Sequence, residues 1–218
     1  MRINRFIAAS TGLSRRAADD YLAQGRVTVN GRMAGPGHRI SVGDKVRLDG
    51  RPLSAPLPSQ TIILHKPAGY VCSRRGQGSQ TVYRLLPPAW RHLKPVGRLD
   101  KDSSGLLLLS NDGQLAERLT HPRFQKTKIY LVTLDRHLDK EHLRRLAGGV
   151  KLDDGLSRLY TSVYDVAKCC YEVRLKEGRN RQIRRTFTAL GLKVNGLHRT
   201  AFGPYELGDL PAGQCRPV

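Results

Sequence analysis

Nowhere does the chain carry an uninterrupted apolar stretch near the ~18 residues that a membrane-spanning helix requires. Its first residues, with Arg2 and Arg5 around Ile3, Phe6 and Ile7, lack the long apolar segment of a secretory leader. A cytoplasmic protein with no membrane association is expected. Cysteine is scarce, and Cys72, Cys169, Cys170 and Cys215 form no CxxC pair, which argues against a structural zinc site and a disulfide framework. Reduced, mostly buried thiols are expected instead. His65, His92, His121 and His198 make no ligand set, so neither metal nor cofactor is expected. Acidic residues are few: 18 Asp and Glu stand against 38 Lys and Arg, a formal charge of +20. The excess is spread along the chain, which calls for a polyanionic partner.

At 218 residues and 39% hydrophobic composition, the chain is long enough for one large domain or two unequal ones. Ile3, Phe6 and Ile7 recur at helical spacing between Arg2 and Ala9, and Gly12 closes that segment. Ser14 reads as the N-cap of a second helix with Ala17, Ala18, Tyr21 and Leu22 on one face and Gly25 as its stop. Val27 and Val29 alternate with polar residues before the hairpin signal Asn30-Gly31, and residues 42–48 give another short strand. Residues 1–48 therefore form a small two-helix, short-strand module with nine basic and three acidic residues, a balance of +6. Arg15 and Arg16 lie in the first helical turn, where the helix dipole disfavours positive charge. Free amides beside two guanidiniums make a phosphate site.

Residues 49–60 hold three prolines and no helical or strand period, and read as a semi-rigid linker. Beyond it, residues 61–64, 105–110, 129–134 and 171–175 read as strands, and residues 114–120, 140–146 and 181–190 as helices. Without a regular βαβ rhythm, residues 61–218 predict an α+β domain on a mainly antiparallel sheet with flanking helices.

The densest polar run is Gly97-Arg98-Leu99-Asp100-Lys101-Asp102-Ser103-Ser104-Gly105, set before the apolar residues 106–109. By spacing alone it suits a structural turn as well as an active-site loop. It resembles the catalytic loop of pseudouridine synthases, nearest the RsuA-like family of ribosomal RNA enzymes. Lys66-Pro67-Ala68-Gly69-Tyr70-Val71-Cys72-Ser73, Lys128-Ile129-Tyr130 and the run from Glu177 to Arg185 match that family's other motifs in order, and Leu197-His198-Arg199 fits as well. Thr186 departs from it, since methionine is usual there. The order Ser14-Arg15-Arg16, Gly25-Arg26-Val27, Val29-Asn30-Gly31 resembles the alpha-L RNA-binding domain, the module named for ribosomal protein S-four.

The resemblance implies isomerisation of a uridine in ribosomal RNA, in the small subunit slightly more than the large, with the RNA or an assembly particle as partner of a monomer. It makes Asp100 the essential carboxylate. Whether such a group attacks the base, attacks the sugar or removes a proton stays open. It also implies that Tyr130 stacks on the uracil and that Arg184 pairs with Asp100. Taking 100° per residue from Ile183 puts Phe187 at about 40°, Leu190 at about −20° and Arg184 at about 100°, on the edge of the buried stripe, with Arg181 and Arg185 nearly opposite. Arg15, Arg16, Arg26, Arg98, Lys128, Arg179, Arg181 and Arg185 are expected to meet RNA, Arg98 either at a phosphate or in the space the flipped nucleotide leaves. Asp102 is expected to orient the turn or cap amides. Two other readings compete. An RNA-binding protein without chemistry suits the basic module but not the motifs in residues 61–216, and a metal-dependent nucleobase enzyme needs a zinc set that the sequence lacks.

Overall fold

A computed structural model describes residues 1–54, 58–76 and 78–218. It divides into two compact units, Met1–Ser59 and Gln60–Val218. In the first, α1 (Ile3–Thr11) ends at Gly12, whose φ of 76° only glycine adopts freely. The Ser14 hydroxyl accepts the Ala17 N–H at 3.0 Å and starts α2 (Arg15–Ala23). Strands β1 (Val27–Val29) and β2 (Arg32–Met33) close through Asn30 and Gly31, both left-handed, as a two-residue hairpin requires. With β3 (Val46–Leu48) and β4 (Arg51–Pro52) they make a sheet of order β2-β1-β3-β4. Ile3, Ile7, Ala18, Leu22, Val27 and Val46 are buried beneath the helices.

Two expectations change here. The strand expected from residue 42 begins at Val46, because Gly43 turns at a φ of 97° and the Asp44 carboxylate accepts the Ser41 N–H, leaving Val42 fully exposed. The stretch expected as linker begins with β4, which pairs with β3 through Arg47 and Leu48, so the small sheet runs past residue 48. Residues 55–57 of that stretch lie outside the described residues.

The second unit is built on a nine-stranded sheet. Its strands are β5 (Thr61–Lys66), β6 (Lys94–Val96), β7 (Ser104–Ser110), β8 (Lys128–Leu134), β11 (Tyr160–Asp165), β12 (Cys170–Leu175), β13 (Val194–Phe202), β14 (Tyr205–Glu206) and β15 (Cys215–Pro217). A separate hairpin, β9 (Val150–Leu152) and β10 (Gly155–Ser157), and helices α3 (Gly113–Thr120), α4 (Lys140–Gly148) and α5 (Gln182–Ala189) complete it. The path runs β11-β12-β8-β13-β7-β5-β15, with β14 on β13 and β6 on β7. Among the described strands of this sheet only β13 and β7 pair in parallel, so it is mainly antiparallel, in an α+β fold.

Strand β7 explains the apolar run. Leu107 and Leu109 enter the larger core while Leu106 and Leu108 enter a second one on the opposite face, and all four are fully buried. Each contributes roughly 1.5–3 kcal/mol relative to exposure. A strand buried on both faces shows no alternation, which fits Leu-Leu-Leu-Leu. Of the thiols only Cys170 is buried; Cys72, Cys169 and Cys215 are partly exposed, fewer buried than expected, and none is in a disulfide.

Candidate active site

The loop 97–103 joins β6 to β7, and two partners from the Lys66-Pro67-Ala68-Gly69 run hold its shape. The Lys66 ammonium, at 0% exposure, donates to the carbonyls of Pro67, Asp100, Lys101 and Ser103. The Gly69 N–H donates to the Lys101 carbonyl at 2.7 Å. Burial lowers the Lys66 pKa against the opposing charges of nearby acids. Beneath the loop, Cys72 accepts the Leu99 N–H on sulfur and its thiol faces the Leu99 carbonyl at 3.4 Å. The conformation of the Asp100 turn is thus set by groups some thirty residues upstream.

The loop forms one wall of a cavity of about 410 Å³. Asp100 and Arg98 come from the loop, Lys128 and Tyr130 from β8, Arg199 from β13 and Arg181 from the turn before α5. Alternation along β8 puts Lys128 and Tyr130 on one face, with Tyr130 buried against the core. Cross-strand register sets Arg199 opposite Tyr130, and its Nη1 lies 3.5 Å from the Tyr130 hydroxyl. Arg98 is exposed at the rim.

The arginines are distributed differently from the expectation. Arg184 pairs with Asp102, at 3.2 Å, and not with Asp100; it also donates to the Asp102 and Val194 carbonyls and does not line the cavity. The cation nearest Asp100 is Arg181, at 3.6 Å, which also contacts Asp102 at 3.2 Å. Arg181 departs from its expected place opposite the buried stripe because it is not in the helix. It is the N-cap of α5 with φ 47° and ψ 31°, and that left-handed turn swings its side chain toward the loop. The buried stripe itself is as expected, with Ile183, Phe187 and Leu190 in the core.

Asp102 is also more than a turn-orienting residue. Burial pushes its pKa up, but the hydrogen bond from Arg181 and the charges of Arg184 and Arg181 outweigh it and hold the carboxyl below its ordinary value. Two arginines on one carboxylate tie the loop to the start of α5.

Three cations expected at RNA are committed within the protein. Arg26 makes a bidentate pair with Asp49, both bonds 2.7 Å, and lies over the Tyr21 ring, because β1 and β3 bring residues 26 and 49 side by side. Arg179 donates to Asp154, Gly155, Leu156 and Glu177, and Arg185 grips both Asp154 oxygens. They fasten the β9–β10 turn to the 177–181 segment. Thr186, the departure from the family pattern, is buried and donates to the Gln182 carbonyl while meeting the Ser157 hydroxyl, both at 2.8 Å. Its hydroxyl is satisfied where a methionine would bring none.

The roles of Lys66, Asp154 and Arg199 are not legible in the sequence. Arg199 was legible only as part of a motif run, since nothing local shows that an arginine on a strand is 2% exposed.

Arg181 and Arg184 are expected to separate activity from stability. Arg181→Ala, removing a side chain 44% exposed, should slow turnover about tenfold with little change in melting temperature. Arg184→Ala removes a side chain 12% exposed that ties α5 to the loop and to β13, and should lower the melting temperature by several degrees as well. Arg185→Ala should affect turnover least. Thermal melts beside single-turnover rates check this, and equal effects of all three on both readouts would refute the assignment.

A cavity lined by the Asp100 and Glu177 carboxylates, a buried tyrosine and an excess of cations suits chemistry on a base drawn from an RNA strand. The comparisons with known proteins agree. The RNA pseudouridylate synthase family matches residues 60–189, and the S4 domain matches residues 1–53. The ribosomal small subunit pseudouridine synthase A of Pasteurella multocida is 38% identical over 223 residues, covering 100% of this chain and 96% of its own. An uncharacterized RNA pseudouridine synthase of Aquifex aeolicus is 36% identical, with 100% and 90% covered, and the ribosomal large subunit pseudouridine synthase B of Yersinia pestis 35%, with 97% and 70% covered. A crystal structure of a pseudouridylate synthase superposes with a TM-score of 0.72 at 32% identity, covering 100% of this chain and 96% of the other. The chain belongs to the RNA pseudouridylate synthase family. It is an isomerase of that class with an S4 domain at its N-terminus.

Proposed function

We propose that this protein converts one uridine of ribosomal RNA to pseudouridine, small-subunit RNA before large, acting as a monomer in the cytoplasm on the RNA or an assembly particle. The observation that supports it most is the single cavity that Asp100, Tyr130 and an excess of cations line together. Breaking the bond from base nitrogen to ribose and rejoining through carbon 5 changes no oxidation state and needs one well-placed oxygen group. Asp100 supplies that group, and Arg181 faces its carboxylate at 3.6 Å. Tyr130 stacks on the uracil, Arg184 sets the loop through Asp102, and Arg98 meets the RNA at the cavity rim. Small-subunit RNA is favoured because the relative with that substrate in its name aligns over nearly its whole length, against 70% for the large-subunit one. The test is pseudouridine mapping on ribosomal RNA from a strain lacking the gene, repeated after adding the purified protein to RNA and particles. Absence of any restored site refutes the reading.

The N-terminal unit, with residues 1–48 and β4, supplies affinity. Arg15 and Arg16 are exposed in the first turn of α2, where main-chain amides have no acceptor within the helix. Replacing both with alanine should leave the rate at saturating RNA unchanged. The log–log salt dependence of binding should become shallower by about 1.4, the value for two lost phosphate contacts on a single strand. An unchanged slope assigns them no phosphate.

A further inference from the structure

Two of the cations that line the cavity make no ion pair among the described residues. Lys128 and Arg199 have no acidic oxygen within 4 Å of their charged nitrogens among the described residues. Arg199 donates from Nε to the Leu106 carbonyl at 2.8 Å, while its Nη2 is buried without an acceptor. Lys128 reaches only the Lys126 and Glu177 carbonyls, both at a long 3.4 Å, and faces the Phe202 ring at 5.0 Å. Besides Arg199 on β13, the charged group that bears on it is the Glu177 carboxylate. Burial, followed by the charge of Arg199, lowers the Lys128 pKa to about 8.

Leaving a buried charge without a partner costs several kcal/mol. The fold places the wholly buried Arg199 and the half-buried Lys128 within reach of each other's charge, beside the tyrosine on which a base would rest. Such an arrangement is stabilising only when negative charge arrives, and fixed charges aimed at where charge develops are a large source of catalysis. Resting on the function proposed above, we propose that Lys128, backed by Arg199, carries the negative charge of the uracil once it has parted from the ribose.

When the bond from N1 to C1′ breaks, its electron pair leaves with the uracil and spreads over N1, O2 and O4. The electron deficiency at C1′ is met by the Asp100 carboxylate or by loss of a ribose proton. After the ring turns, C5 bonds to C1′ as the bond from Asp100 breaks or the ribose proton is returned, the C5 proton departs, and N1 gains one. The balance closes without a co-reactant. During the rotation the anion has no covalent anchor, and the ammonium of Lys128 holds it over Tyr130 while its oxygens change places. An ordinary phosphate contact is the competing role for Lys128, and it differs in what it predicts.

The experiment is a single-turnover assay on RNA that the parent modifies, with a separate binding titration. Lys128→Gln should lower the rate at saturating RNA by about 10²-fold, with affinity changed less than about threefold, and Lys128→Arg should recover most of the rate. Rate over Kd for the parent should fall above a pH of about 8, as the ammonium loses its proton. In Lys128→Arg that fall should disappear, because a guanidinium stays charged. Both substitutions are at a half-buried strand position, so thermal melts confirm folding; Arg199, wholly buried, is a poorer first target. A Lys128→Gln variant that keeps the saturated rate and only binds more weakly makes the residue a phosphate contact and overturns the proposal. So does an alkaline fall shared by the parent and Lys128→Arg. A parent that makes no pseudouridine overturns the functional reading and this inference with it.

Discussion

Replacing Asp100 with asparagine is expected to abolish pseudouridine formation, by at least roughly 10⁴-fold, while RNA affinity stays at the parent value or rises. The amide is nearly isosteric, and the loop's shape depends on main-chain carbonyls held by Lys66 and Gly69 and not on the Asp100 carboxylate. What is lost is a nucleophile or base beside the ribose. Removing one negative charge from a surface that attracts polyanions does not weaken that attraction, so lost binding would indicate misfolding. Asp102→Asn is the comparison. It weakens the ties to Arg181 and Arg184, and should retain measurable turnover at a reduced rate. Single-turnover assays with binding titrations decide the matter: Asp100→Asn turning over at the parent rate refutes its role.

Gly105→Ala is expected to have the largest effect on the fold. Gly105 has φ 103° and faces Arg199 where β7 and β13 pair in parallel. A Cβ there would stand 2.2 Å from the Arg199 carbonyl oxygen and 2.5 Å from its nitrogen, both main-chain atoms that cannot rotate away. Backbone strain at this φ adds roughly 1–3 kcal/mol, and together the two effects exceed about 4 kcal/mol, most of the stability of an ordinary domain. The variant should be largely unfolded or insoluble at 37 °C. Denaturation with urea checks it, and a midpoint near the parent's would show that the strands separate at little cost.

Much of the fold is legible in the sequence. Ser14, Gly12 and Asn30-Gly31 act within a few residues of themselves, so caps and turns appear where the sequence puts them. The stripe of Ile183, Phe187 and Leu190 followed from periodicity alone. Strand β13, central to the sheet, was not read as a strand, because Val-Asn-Gly-Leu-His-Arg-Thr-Ala-Phe contains a glycine and polar residues that carry no clean alternation. Its neighbours β8 and β7 supply the pairing that local preference does not.

The distribution of arginine charge shows the same division. Seven arginines and one lysine were assigned to RNA by composition and motif, and Arg184 to Asp100. Long-range geometry then paired Arg26 with Asp49, Arg179 and Arg185 with Asp154, and Arg184 with Asp102, leaving Arg181 nearest Asp100. A guanidinium reaches several ångströms from its backbone, and its partners lie 23 to 82 residues away, so spacing along the chain carries no record of which carboxylate it meets. By itself the sequence determined the local turns and caps, the buried faces of helices, the family and the carboxylate in its loop, because each depends on residue type within one short stretch. Only the tertiary structure decided which cation faces Asp100, why Gly105 tolerates no side chain and that Lys128 and Arg199 share the cavity floor, because each depends on strands that meet across the sheet.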